Sequence, residues 1–180
     1  NGETGSRTAV FDIVTAGTTD SRTYVSYAVY PYNEDTTVKL VDGVETLSVV
    51  YPAEQTYANG SFGKGANIMV AAGESNADDN LYFHNACGYL VLKLRKTDIY
   101  INSIKLTALG GVKIAGKADI VAENGSEPVV TMSEDATSVV TLNCGKLMLK
   151  DSETYEFWFA LPPVTLTDGI EVAVEGESVI

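Results

Sequence analysis

The feature that most constrains this chain is an alternation of apolar and polar side chains, repeated in short runs that turn residues separate. Successive side chains of a strand point to opposite faces, so a period of two buries one face and wets the other. "TAVFDIVT" (8–15) puts Val10, Asp12 and Val14 on one face and Phe11 and Ile13 on the other. "LYFHNACGYLVLKLR" (81–95) sends Leu90, Leu92 and Leu94 one way and Val91, Lys93 and Arg95 the other. "RTYVSYAVYP" (22–31) is apolar on both faces, which predicts an inner strand. "TTVKLVDGVETLSVV" (36–50) predicts a hairpin about Asp42-Gly43, residues that accept the positive φ of a two-residue turn. "IYINSIKLTAL" (99–109), "GVKIAGKADIVA" (111–122), "PVVTM" (128–132), "TSVVTLNC" (137–144), "KLMLK" (146–150), "TYEFWFALP" (154–162) and "GIEVAVE" (169–175) bring the candidates to about a dozen. Gly110-Gly111, Asn124-Gly125, Cys144-Gly145, Pro162-Pro163 and Asp168-Gly169 separate them. No segment keeps a 3.6-residue period over three turns. Short, regularly spaced strands without helices predict an all-β fold, an antiparallel β-sandwich with Leu90, Leu92, Ile104, Leu106, Phe157 and Phe159 in its core.

The expected organisation is an N-terminal arm with a first strand over 1–21 and a single β-sandwich domain over 22–180. "GESNADDN" (73–80) fits a surface loop within that sandwich better than a boundary. No internal repeat is present. The longest gap between strands is 51–76, "YPAEQTYANGSFGKGANIMVAAGESN", which predicts a long crossover. Pro52 ends the preceding strand, Tyr57 and Phe62 are expected to pin the loop to the sandwich, and Gln55 to bond the loop's own backbone. Loops of this length are commonly anchored or functional, so an anchored crossover is expected, with a ligand- or partner-contacting loop as the alternative. The polar, Gly-rich opening without an initiator Met is expected to be a mature start whose leader was removed. At the far end, either the last residues pair within the sheet or more chain follows.

Charge excludes several functions. Twelve basic against twenty-four acidic residues leave a net charge of −12, which disfavours nucleic acid and anionic membrane surfaces. No apolar run reaches the about eighteen residues of a membrane-spanning helix. The single histidine, His84, has no nucleophile elbow to serve and reads as a packed strand residue; alternation sends Cys87 to the opposite face. Cys87 and Cys144 lack metal spacing and read as buried thiols, with one disulfide as the alternative in an oxidising compartment. Asn76, Asp78, Asp79 and Asn80 form an acidic loop that reads as solvated rather than as a calcium site, and no carboxylate pair is singled out for glycosidase chemistry. No catalytic, cofactor-binding or metal-binding residue is therefore assigned, and no cofactor is expected. Ten Tyr and one Trp leave room for a sugar-stacking surface; Tyr24, Tyr27, Tyr30 and Tyr32 cluster, whereas Trp158 reads as core or edge packing.

The order of motifs is more specific than any one of them. "YAVYPYN", "YPAEQTYANGSFGKGANIMVA", "LYFHNACGYLVLKL", "INSIKLTALGGVKIAGKADI" and "FWFALPPVTLTDGIEVAV" follow one another. This series resembles the fimbrillin-like family, cell-surface adhesins and fimbrial subunits of Gram-negative gut and oral anaerobes. The likeness rests on Tyr30-Pro31, Pro52 to Tyr57, Phe83 to Leu94, Ile101 to Gly116 and Phe157 to Pro163, and runs over about 22 to 175. It implies a transthyretin-like sandwich of the fimbrillin N-terminal-domain type, exported as a lipoprotein and displayed at the outer membrane or in a fimbrium (pilus). Its partners would be other fimbrial subunits, host or bacterial surface proteins, or glycans, met by strand pairing and loop contacts. Membrane attachment would need a lipid anchor absent from this chain; because pilin-type members usually add a second β domain and a terminal strand to donate, the chain is expected to be either a fragment of a longer protein or a small member that decorates or anchors. The expected function is non-catalytic adhesion or fimbrial assembly; the alternative is a glycan-binding surface module of a polysaccharide-capture system.

Overall fold

The computed structural model describes residues 26–73, 80–95, 98–150 and 153–178. The 8–15 run, Tyr24, Asn76, Asp78 and Asp79 lie outside the described residues.

Among the described residues thirteen strands follow in chain order: β1 (Tyr27–Tyr30), β2 (Thr37–Val41), β3 (Val44–Tyr51), β4 (Glu54–Thr56), β5 (Met69–Ala72), β6 (His84–Asn85), β7 (Gly88–Leu94), β8 (Ile99–Ala108), β9 (Gly116–Val121), β10 (Val129–Met132), β11 (Val139–Leu149), β12 (Tyr155–Leu161) and β13 (Ile170–Ser178). The only helical turn among the described residues is a 3-10 turn at Leu109–Gly111. The strands form two four-stranded sheets, β10-β9-β3-β2 and β13-β8-β11-β4, a three-stranded sheet, β1-β5-β6, and a two-stranded ladder, β12-β7. Every pairing among the described residues is antiparallel except that of β4 with β11. The β2–β3 hairpin closes at Val41↔Val44, and Asp42 and Gly43 both take positive φ, 51° and 82°. That is the mirror-image turn whose twist matches its strands.

The sheets pack as an antiparallel β-sandwich around two clusters of buried side chains. In one, Ile101, Ile104 and Leu106 of β8 and Val140, Leu142 and Leu149 of β11 meet Phe157 and Phe159 of β12, with Leu90, Leu92 and Leu94 of β7 partly buried against them. In the other, Leu47, Val49 and Tyr51 of β3 and Ala118 and Ile120 of β9 meet Ile68, Val70 and Ala86, with Tyr27 and Val29 of β1 at the margin. Each fully buried large apolar side chain contributes about 1.5–3 kcal/mol, so these positions drive the fold. All six predicted core residues belong to the first cluster, Leu90 and Leu92 at its edge.

Among the described residues β1 pairs only with β5, and 22–25 of its run lie outside them. Three sequence expectations need correction. The runs 137–144 and 146–150 are one strand, β11, in which a bulge at Gly145 and Lys146 (φ 60° and 63°) stands where a turn was expected. A bulge and a tight turn call for the same positive-φ residues, so the sequence does not separate them. The 81–95 run breaks at Ala86 and Cys87 into β6 and β7. The 51–76 stretch contains β4 and β5, which shortens the crossover to 57–68. Three residues, Glu54-Gln55-Thr56, are too few to show a period; their pairing with Thr141 to Asn143 makes them a strand.

Candidate binding surface

The β12-β7 ladder has two unlike margins. Ala160 of β12 donates its N–H to Gln55 Oε1 (3.1 Å), and its carbonyl accepts from Gln55 Nε2 (2.7 Å). The buried Gln55 amide thus pairs with Ala160 as another strand would, instead of bonding its own loop as the sequence suggested. Because Ala160 turns both groups toward Gln55, the edge of β12 away from β7 is the one capped, and β12 lies toward the β4 end of the sheet below. Among the described residues no strand pairs with the outer edge of β7. Across the core, Val172 and Val174 of β13 stand opposite Leu106 and Ile104 and share their inward face, yet remain 39% and 44% exposed. Inward-facing valines left wet mark a layer narrower than the sheet it covers.

The 57–68 loop is anchored as its aromatics predicted. Tyr57 packs on Phe157 at 5.3 Å and Phe62 stacks on Tyr89 at 5.3 Å, with Trp158 edge-on to Tyr89 at 6.2 Å. Gly63 lies so close to the Thr56 carbonyl that no side chain fits there. The polar atoms of this aromatic row are engaged. Tyr89 Oη donates to Asn67 Oδ1 and accepts from Asn85 Nδ2, both at 3.0 Å. Trp158 Nε1 donates to Glu156 Oε2 (3.1 Å), and Lys93 Nζ lies 2.9 Å from Glu156 Oε1. Those donors hold the Glu156 carboxyl below the usual range. Trp158 is therefore half-buried on the outer face, opposite Phe157 and Phe159, as alternation requires.

Other residues of the same loop, Lys64, Gly65 and Ile68, line a cleft of about 570 Å³ together with the end of β1, the segment after it and β3. Val49 and Ile68 are buried and form its floor; Tyr30 (57% exposed) and Tyr32 (89%) stand at its rim. Asn33, Thr36 and Lys64 supply its polar groups, and no carboxylate lines it among the described residues. Two of the clustered tyrosines thus meet at one site, while Tyr27 turns into the second core cluster. Sequence reasoning missed Lys64, Asn33 and Thr36; the one available signal was a lone cation between glycines, "GKG", in an acidic chain.

The remaining candidates are dispersed. His84 Nδ1 lies 3.7 Å from Glu127 Oε1 on an exposed part of the surface. Cys87 and Cys144 are buried free thiols in different core clusters, and burial pushes each up to about 11. Cys87 Sγ accepts from the Ile68 N–H at 3.3 Å, which ties the loop's end to the core. Tyr51 Oη donates to the Ala86 carbonyl at 2.5 Å, and burial raises its pKa. No group of three or more metal-binding side chains occurs among the described residues. Comparison with protein-family models, with curated proteins and with solved structures finds no match for this chain.

Proposed function

We propose that this chain is a fimbrillin-like surface protein, a transthyretin-type sandwich exported to the cell surface, where it works without catalysis as an adhesion protein or fimbrial component. It would meet other fimbrial subunits or surface proteins of host or bacterial cells by strand pairing and loop contacts. The observation that carries this reading is the β7 margin, where among the described residues no strand pairs with the outer edge of β7, while Val172 and Val174 of β13 face inward yet wet. A strand with apolar residues at alternate positions would bond the edge through its backbone and cover those valines with its side chains. The motif series from Tyr30-Pro31 to Phe157–Pro163 supports the family assignment.

The test uses the producing cell and an antibody to the chain. Immunogold labelling of intact cells and of sheared surface material is expected to decorate the surface or its appendages. Val91→Pro, which obstructs the outer β7 edge, is expected to abolish incorporation. Label confined to the cytoplasm overturns surface display, and normal incorporation of the Pro variant overturns strand pairing. A second reading, a glycan-binding module of a polysaccharide-capture system, is favoured by the Tyr30–Tyr32 rim of the cleft; saturable binding on a glycan array would support it.

A further inference from the structure

We infer that the cleft beside Tyr30 and Lys64 binds a sugar ring that carries a carboxylate. This rests on the glycan-contacting reading and is independent of strand pairing.

Three kinds of group converge there. Val49 and Ile68 give an apolar floor, at 2% and 4% exposure, beneath the exposed rings of Tyr30 and Tyr32. A tyrosine ring presents an apolar face with a polar tip, which suits the C–H face and the hydroxyl rim of a pyranose. Asn33 accepts from the Asp35 N–H at 2.9 Å through Oδ1, which leaves its amide nitrogen to donate to a hydroxyl. A volume of about 570 Å³ suits one or two sugar rings.

Charge selects among sugars. Lys39, Lys93 and Lys146 each lie within salt-bridge reach of a carboxylate, Asp119, Glu156 and Glu177. Lys64, like Lys105, Lys113, Lys117 and Lys150, has no such partner among the described residues, but it alone of these lines the cleft, whose described lining contains no acid although acids outnumber bases twofold in the chain. Glu34 and Asp35 follow in the same turn but are exposed and do not line the cleft. An unpaired ammonium beside polar donors and an apolar floor is complementary to a carboxylate on a ring.

The contrast with the Phe62–Tyr89–Trp158 row sharpens the assignment. In the row the Tyr89 hydroxyl and the Trp158 indole N–H bond to protein groups, which fits anchoring. In the cleft the Tyr30 and Tyr32 hydroxyls and the Lys64 ammonium have no protein partner among the described residues, which fits a ligand. The anchored row also holds the loop that carries Lys64, so the cleft is formed before the ligand arrives.

The test follows amide chemical shifts of the full chain on titration with galacturonate, galactose and benzoate. Galacturonate is expected to bind saturably, with shifts confined to 29–36 and 64–68, and galactose about tenfold or more weaker. Lys64→Met is expected to weaken galacturonate by about tenfold and leave galactose unchanged, whereas Tyr32→Ala weakens both sugars. Both side chains are exposed, so both variants are expected to fold, which circular dichroism checks. Equal affinity for the two sugars overturns the charge selection. Benzoate bound as tightly as galacturonate overturns the sugar assignment in favour of simple carboxylates, and no binding overturns the site. Neutral glycans captured on an array without any preference for acids would sink this inference while the broader glycan reading survives.

Discussion

The two margins of the β12-β7 ladder cover the same kind of core and are finished differently. At the β12 margin, Phe157 and Phe159 are fully buried and Gln55 satisfies both backbone groups of Ala160. At the β7 margin, Leu90, Leu92 and Leu94 are only partly buried and Val172 and Val174 of β13 face inward yet wet. The backbone edge of β12 is closed by a side chain rather than by another strand. There the Gln55 amide stands in for a strand; at β7 no strand pairs with the outer edge among the described residues, and Lys93 is the only charge on that strand.

Four measurements would break or sharpen that contrast. The largest effect is expected from core truncation: Phe159→Ala should lose about 3–5 kcal/mol in urea unfolding, against about 0.5–1 kcal/mol for Val174→Ala. Equal losses would mean that both margins are closed. Next come proline substitutions on β7. Since Ala160 points away from β7, Phe157 and Leu92 exchange the ladder hydrogen bonds while Val91 faces outward. Leu92→Pro should therefore cost about 3 kcal/mol or more and Val91→Pro about half of that or less. A reversed order would place the open edge elsewhere.

Gln55→Leu keeps the bulk and removes the amide. It should cost about 2–4 kcal/mol, because the Ala160 N–H and carbonyl lose their partners in a buried place. A near-neutral result would show water or another group closing that margin. The subtlest probe uses the two thiols. Both have folded values of about 11 against an ordinary value of 9.0, raised by burial. The native state holds these protons more tightly than the unfolded chain. Their contribution to stability is therefore complete below the unfolded thiol pKa and is lost as pH rises through about 11. The urea midpoint should fall between pH 8 and 10.5, and fall less in Cys87→Ala. With a thiol reagent at pH 8, Cys144, in the cluster with the open margin, should label before Cys87, which lies beneath the anchored loop. The opposite order would assign the weaker margin to the other half of the sandwich.

Much of this molecule was legible as pattern. Alternation over 99–109 and 154–162 placed Ile104, Leu106, Phe157 and Phe159 in the core, and Asp42-Gly43 marked its hairpin. Tyr57 and Phe62 announced an anchored loop. The candidate site was legible only in part, through Tyr30 and Tyr32. Asn33, Thr36 and Lys64 carry no periodic signal, because a site built from loops depends on which segments meet.

The sequence by itself determined the strand period, the turn chemistry and the buried stripe, since these are set by neighbours within a few residues. Only the tertiary structure decided that Glu54–Thr56 is a strand, that Gln55 bonds Ala160 across the sandwich, and that a loop lysine lines one cleft with two tyrosines. Each of these depends on a partner far along the chain, and local side-chain order holds no information about which distant backbone group will be left needing one.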